Sequence, residues 1–143
     1  MRYWLMKSEP STYSIDDLKK DGKTYWDGVR NFQARNFMRD DMRAGDLVLF
    51  YHSNAEPSGV AGLARVYKTG YPDFTAKSTK EKSLWFMVDM EFVKKFERLV
   101  PLEELKRNPA LKGMWVIKRG TRLSVQPVEK KHFETIKKMG NIS

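Results

Sequence analysis

The sequence predicts an α+β domain, a mixed and mostly antiparallel sheet curled into a small barrel with short helices flanking it. Three observations carry this. Strand-like segments follow one another through the middle of the chain while helical patterns sit toward its ends, unlike the alternation of a βαβ fold. Leu47–His52 is apolar on both faces, so it reads as a central strand. The 143 residues suffice for one core and contain no repeat, low-complexity tract or linker, so 1–143 reads as a single domain.

In chain order, Tyr3–Met6 reads as a first strand. Ser14-Ile15-Asp16-Asp17 has the form of a capping box and opens a short helix that stops near Gly22. Asn31 is placed to cap a second helix, with Ala34, Phe37, Met38 and Met42 at helical spacing. Ala44-Gly45-Asp46 turns the chain into Leu47–His52, and the polar turn 53–58 leads to a strand over Gly59–Tyr67. Leu84–Val93 is a further strand, with Leu84, Phe86, Val88, Met90 and Phe92 on one face. A short helix is expected over Leu102–Lys106, ending by Asn108-Pro109 because the residue before proline disfavours the helical region. Met114–Lys118 reads as a strand, Arg119–Arg122 as a basic loop, and Pro127 as the first residue of a last helix that runs to Met139 before Gly140.

Composition excludes several classes of chemistry. There is no cysteine, hence no disulfide, thiolate zinc site, iron–sulfur cluster or cysteine nucleophile. With two histidines, His52 and His132, a multi-histidine metal site is not expected, and no cofactor is implied. The longest apolar runs, Leu47–Tyr51 and Leu84–Val88, fall far short of the ~18 residues of a membrane span. The chain is already strand-like from Tyr3, so no targeting segment and no membrane partner are expected. The expectation is a cytoplasmic monomer, nucleoid-associated in a prokaryote or nuclear in a eukaryote.

Twenty-seven Lys and Arg against 18 Asp and Glu give a formal charge of +9, the balance of a protein with a polyanion partner. Residues 1–75 hold 11 basic and 10 acidic residues; residues 76–143 hold 16 and 8. The charge is therefore concentrated in the second half. Arg119, Arg122, Lys77, Lys80 and Lys82 fall in loops beside strand ends, where phosphate contacts belong. Lys130, Lys131, Lys137 and Lys138 read as the solvated face of the last helix.

Three segments carry polar and aromatic residues that no periodicity demands: Lys7-Ser8-Glu9-Pro10, Trp26-Asp27-Gly28-Val29-Arg30-Asn31, and Phe50-Tyr51-His52-Ser53. A large ring beside fixed donors and acceptors is what reading one extruded base requires. The ring stacks on the base, and the polar groups query its hydrogen-bonding edge. A core role for the same rings is the competing reading. No catalytic set is evident. His52 and Ser53 are strand neighbours pointing to opposite faces, and nothing in the spacing joins Glu9 to Asp27. Gly59-Val60-Ala61-Gly62 has the spacing of a backbone-clamping loop but lies in an apolar strand, where such glycines mark a bulge or close packing.

These segments, with Tyr3–Pro10, Trp26–Asn31, Gln33–Asn36, Leu49–Asn54, Arg119-Gly120 and Arg122–Pro127, resemble the EVE domain family over nearly the whole chain. The resemblance implies a five- to six-stranded PUA-like pseudobarrel, akin to the YTH domains that cage a methylated base. It implies a non-enzymatic reader of nucleic acid, modified DNA favoured and RNA possible, with 5-methyl- or 5-hydroxymethylcytosine as the leading bases. Ser8, Glu9, Pro10, Trp26, Val29, Asn31, Phe50, Tyr51, His52, Ser53 and Trp85 are then the candidates for base binding. Lys7, Arg30, Arg119 and Arg122 are the candidates for phosphate. The alternatives are a PUA-type module for structured tRNA or rRNA, and an enzyme acting on a modified base or nucleotide through Glu9, Asp27 or His52. After Tyr71-Pro72-Asp73 the chain passes quickly to Lys77-Ser78-Thr79, shorter than the family pattern.

Overall fold

The computed structural model describes residues 1–76 and 84–142. Lys77, Lys80 and Lys82, named above as phosphate-contacting residues, lie outside the described residues. Six strands form one sheet: β1 (Tyr3–Ser8), β2 (Lys23–Trp26), β3 (Leu47–His52), β4 (Gly59–Pro72), β5 (Phe86–Pro101) and β6 (Val125–Val128). Their order is β2-β5-β4-β3-β1-β6. All pairings are antiparallel except β1 with β3, which run parallel and in register from Tyr3↔Leu47 to Ser8↔His52. Accompanying the sheet among the described residues are α1 (Ile15–Asp21), α2 (Phe32–Asn36, continued by a π-helical turn over Phe37–Asp41), α3 (Leu102–Arg107) and α4 (Lys130–Met139). The mixed, mostly antiparallel α+β architecture is the one the sequence predicts.

Alternation along the central strands creates two apolar clusters. Trp4, Met6, Val48 and Phe50 face one, with Trp26, Val88 and Met38; Leu5, Leu49 and Tyr51 face the other, with Phe96, Phe133 and Ile136. Leu47–His52 is central, between β1 and β4, as its doubly apolar pattern requires. The sheet is strongly curled. Trp26 on β2 and Phe50 on β3 belong to strands three positions apart, roughly 14 Å in a flat sheet, yet their ring centroids are 5.6 Å apart. That curl gives the first cluster residues from all six strands.

Local signals place the helices. Ser14 and Asp17 close the capping box at α1, and Asn31 Oδ1 accepts the Ala34 amide at 3.0 Å to open α2. The turn before β3 rests on Gly45, at φ 97°, and on buried Asp46. The Asp46 carboxylate accepts Trp4 Nε1–H at 3.0 Å and the amides of Arg2 and Arg43. A buried carboxylate is tolerated because it is fully hydrogen-bonded.

Several expectations are corrected. Pro127 does not start a helix. It lies in β6 opposite Trp4, on the outer strand of the sheet, where its missing N–H breaks no ladder, and α4 begins at Lys130. Met114–Lys118 is not a strand; Trp115–Ile117 is a single 3-10 turn. β6 already occupies the free edge of β1, so this apolar run has no strand to pair with and buries Val116 as a turn. β2 was not expected: it is four residues long, with Lys23 and Tyr25 exposed and Trp26 alone buried, too little to show an apolar alternation. The strands β4 and β5 run on to Pro72 and Pro101, well beyond Tyr67 and Val93, because each continues as the other's partner through several bulges.

Candidate functional site

The site begins where the parallel pair β1 and β3 ends. Parallel strands deliver their C-terminal ends side by side, so Ser8 and His52 are paired and the Ser53 amide donates to the Ser8 carbonyl at 2.9 Å. The chain then reverses at Glu9, whose carbonyl accepts the amides of Thr12 and Tyr13. Ser8 Oγ donates to the Tyr13 carbonyl at 2.6 Å, fixing this turn against the strand end. Beside it β2 brings in Thr24, Tyr25, Trp26 and, just beyond, Asp27. Together with Lys7, Ser8, Thr12, Tyr13 and Asp21 these residues line an open groove of about 530 Å³. That volume lies within the range of small-ligand sites.

Trp26 is the groove's aromatic wall. It is 9% exposed, and its ring meets Phe50 edge to face; Phe50 in turn meets His52 edge to face at 5.7 Å. Phe50 is fully buried and supports Trp26 from behind. His52 Nε2 accepts the Ile15 amide at 3.1 Å, so the ring is the neutral tautomer with its proton on Nδ1. Burial lowers its pKa below the ordinary 6.5. The imidazole therefore serves as a cap for α1.

Polar groups in the groove are tuned by burial and by one another. The Tyr13 hydroxyl donates to Asp21 at 2.8 Å, and burial together with this bond raises its pKa to about 12, keeping it a neutral donor. Lys7 lines the groove at the strand end, but its amine lies over the Tyr51 ring, 5.8 Å from the centroid, on the other face of the sheet, where burial lowers its pKa. The lining thus combines an indole and two phenols with hydroxyl groups and the carboxylates of Asp21 and Asp27.

The other candidates fall in different places. Val29 is buried in the first cluster, and Asn31 spends its side-chain oxygen on the α2 cap. Tyr51, one residue from Phe50 on the strand, points to the opposite face and is buried in the second cluster. Glu9 is exposed and accepts Asn54 Nδ2 at 2.8 Å, with Pro10 in the adjacent turn. Trp85 stacks on Phe32 with centroids 5.0 Å apart. Arg119 and Arg122 are exposed in the segment before β6, which reaches the groove through the Lys7 amide bonded to the Ser124 carbonyl at 2.9 Å.

One determinant escaped the sequence altogether. Asp73, fully buried, accepts the Gly28 amide and Arg30 Nη1, both at 3.0 Å, and the Thr75 hydroxyl at 2.5 Å. Burial alone would raise its pKa, but the bonds from Thr75, Gly28 and Arg30 outweigh this and hold it below the ordinary carboxylate value. The loop it anchors turns at Gly28, at φ 77°, a conformation that favours glycine. Tyr13, Thr24 and Tyr25 were also missed as lining residues. Only the adjacency of Tyr13 to the capping box offered a cue. Among the described residues, no three His, Asp or Glu side chains gather as a cation site.

Comparison with known proteins gives a consistent relationship. The EVE domain family model matches residues 2–139. Thymocyte nuclear protein 1 of Homo sapiens is 40% identical over 163 aligned positions, spanning 94% of this chain and 72% of its own length. Because the alignment is longer than the 143-residue chain, the human protein carries insertions relative to it. A hypothetical protein from Leishmania major superposes with a TM-score of 0.92 at 47% identity, covering 99% of this chain and 95% of its own. Human THYN1 in complex with 5-methylcytosine-containing DNA superposes with a TM-score of 0.87 at 37% identity, covering 100% and 99%.

Proposed function

The chain belongs to the EVE domain family, and from that premise we propose that it is a nucleic-acid-binding reader that takes one extruded, modified pyrimidine into the groove beside Trp26. The observation that carries this reading is the groove itself: an indole wall packed edge to face on Phe50, in a lining of hydroxyl and carboxylate groups. Stacking on Trp26 supplies about 1–3 kcal/mol. The hydroxyl oxygens of Ser8, Tyr13 and Thr24, whose protons are directed to protein acceptors, and the Asp27 carboxylate offer acceptors for an amino group on the base edge. The human relative whose structure contains 5-methylcytosine DNA supports that base as the first to test. Nothing in this reading requires a chemical step; the groups in the groove bind and orient.

Phosphate contact is assigned to the exposed Arg119 and Arg122, the Lys7 amine lying on the other face of the sheet. Arg30 is partly neutralised by Asp73 and makes a weaker phosphate partner. The deciding experiment measures affinity at one salt concentration for matched oligonucleotides bearing cytosine, 5-methylcytosine or 5-hydroxymethylcytosine, beside a structured RNA. A preference for a modified cytosine that disappears in Trp26→Ala supports the reading. Equal affinity across the DNA set, or structured RNA binding more tightly than all of it, overturns it.

A further inference from the structure

Outside the groove, one surface combines exposed aromatic area with fixed positive charge. Phe32, at the first turn of α2, is 57% exposed, a costly position for a phenyl ring. It stacks on Trp85 at an interplanar angle of 25°. Both rings are flanked by guanidinium groups that are themselves held in place. Arg35 lies 4.9 Å from the Phe32 centroid and is fixed by two bonds to Asn36 Oδ1 and one of 2.8 Å to the Leu84 carbonyl. Arg30 lies 5.4 Å from the Trp85 centroid and is fixed by Asp73.

We propose that the Phe32–Trp85 pair, flanked by Arg30 and Arg35, is a stacking platform for a second unpaired nucleobase on the strand whose modified base enters the groove. The assignment rests on the reading given above for the groove. Charge complementarity selects the occupant: a flat aromatic face between two cations suits a planar base attached to an anionic backbone. An apolar protein side chain would leave the Arg35 guanidinium, whose described bonds run to the neutral Asn36 amide and the Leu84 carbonyl, without an anion. Connectivity sets the reach. Phe32 follows Trp26 by six residues, so groove and platform are joined by at most roughly 22 Å of backbone. A single strand covers that distance within a few nucleotides. The pair belongs to this second position because Trp85 and Phe32 are not among the groove's lining residues.

The test scans abasic sites. Single-stranded probes carry one 5-methylcytosine and one abasic nucleotide at each of the three positions on either side, and binding is read by anisotropy. With wild-type protein, one flanking abasic position is expected to weaken binding roughly tenfold. Phe32→Ala and Trp85→Ala should lose the same factor on the intact probe and nothing more at that position, while Phe32→Tyr retains wild-type affinity. Because Phe32 is exposed, Phe32→Ala should melt as the wild type does. No effect at any flanking position, or wild-type affinity in both alanine variants, overturns the platform. Wild-type binding that ignores cytosine methylation in the same series defeats the groove reading instead, and the abasic scan still reports on the platform.

Discussion

Trp26 and Phe50 meet edge to face at 5.6 Å although two strands lie between their own in the sheet. The contact ties the groove wall to the core, so fold stability and ligand binding share a residue. Trp26→Ala should cost about 3–5 kcal/mol in chemical denaturation, because it removes a large, nearly buried ring. Trp26→Phe should retain more than half of that stability while weakening binding, since a smaller ring offers less area for stacking. Denaturation midpoints and oligonucleotide titrations on the same two variants check both statements.

Asp73 is the anchor of the 26–30 loop, and Asp73→Asn should show it. The amide keeps one acceptor but loses the charge that faces Arg30, Gly28 and Thr75. A loss of about 1.5–3 kcal/mol is expected from a buried carboxylate that accepts several hydrogen bonds. Its pKa is depressed in the fold, so its contribution is present above the ordinary 3.8 and is lost as pH falls through the lower folded value. The variant should lack this acid-side component in a stability profile from pH 2 to 5.

His52 predicts a second, milder pH dependence. Burial lowers its folded pKa below 6.5, with Asp16 opposing and Lys95 reinforcing the shift; these two also pair with each other at 2.8 Å. The unfolded chain therefore binds the proton more readily, and stability is full above 6.5 and declines as pH falls toward the folded pKa. Protonation also removes the acceptor for the Ile15 amide. His52→Gln, which offers an amide oxygen in place of Nε2, should flatten the profile between pH 7 and 5 when melting is followed by circular dichroism.

Gly62 is a packing position. A Cβ there would lie 2.6 Å from the Lys94 carbonyl oxygen and 2.8 Å from Ile15 Cγ1. Gly62→Ala should destabilise by about 1–3 kcal/mol, as overpacking does, and shift the melting temperature down. This assigns the Gly59–Gly62 spacing to strand packing beside a register shift in β4, with no part in clamping a backbone.

Arg119 and Arg122 are exposed and so removable without disturbing the fold. Each alanine variant should lower the slope of log affinity against log salt by about one and weaken modified and unmodified DNA alike. A change in methylation preference would contradict their assignment to phosphate.

Signals confined to a few consecutive residues were readable in the sequence: the Ser14–Asp17 box, the Asn31 cap and the doubly apolar Leu47–His52. Features that depend on which edges the sheet leaves free were not. Pro127 sits in a strand only because β6 is outermost, and Met114–Lys118 is a turn only because that edge is taken. The groove shows the same division. Trp26 and Ser8 stood out as polar and aromatic residues beyond any period, and alternation alone puts Tyr51 on the face opposite Phe50. Asp73 gave no cue, since the loop residues it anchors, Gly28 and Arg30, lie more than 40 residues away and its one near partner, Thr75, marks only a local turn.

The parallel pairing of β1 with β3 has a kinetic consequence. Ser8 and His52 become neighbours only after a loop of more than 40 residues has closed, and Trp26 reaches Phe50 only when the sheet has curled. No fragment ending before β3 can hold the groove, so binding competence should emerge with the last cooperative step of folding. A ligand that recognises the groove would then stabilise the whole domain by mass action, and its binding would serve as a probe of refolding.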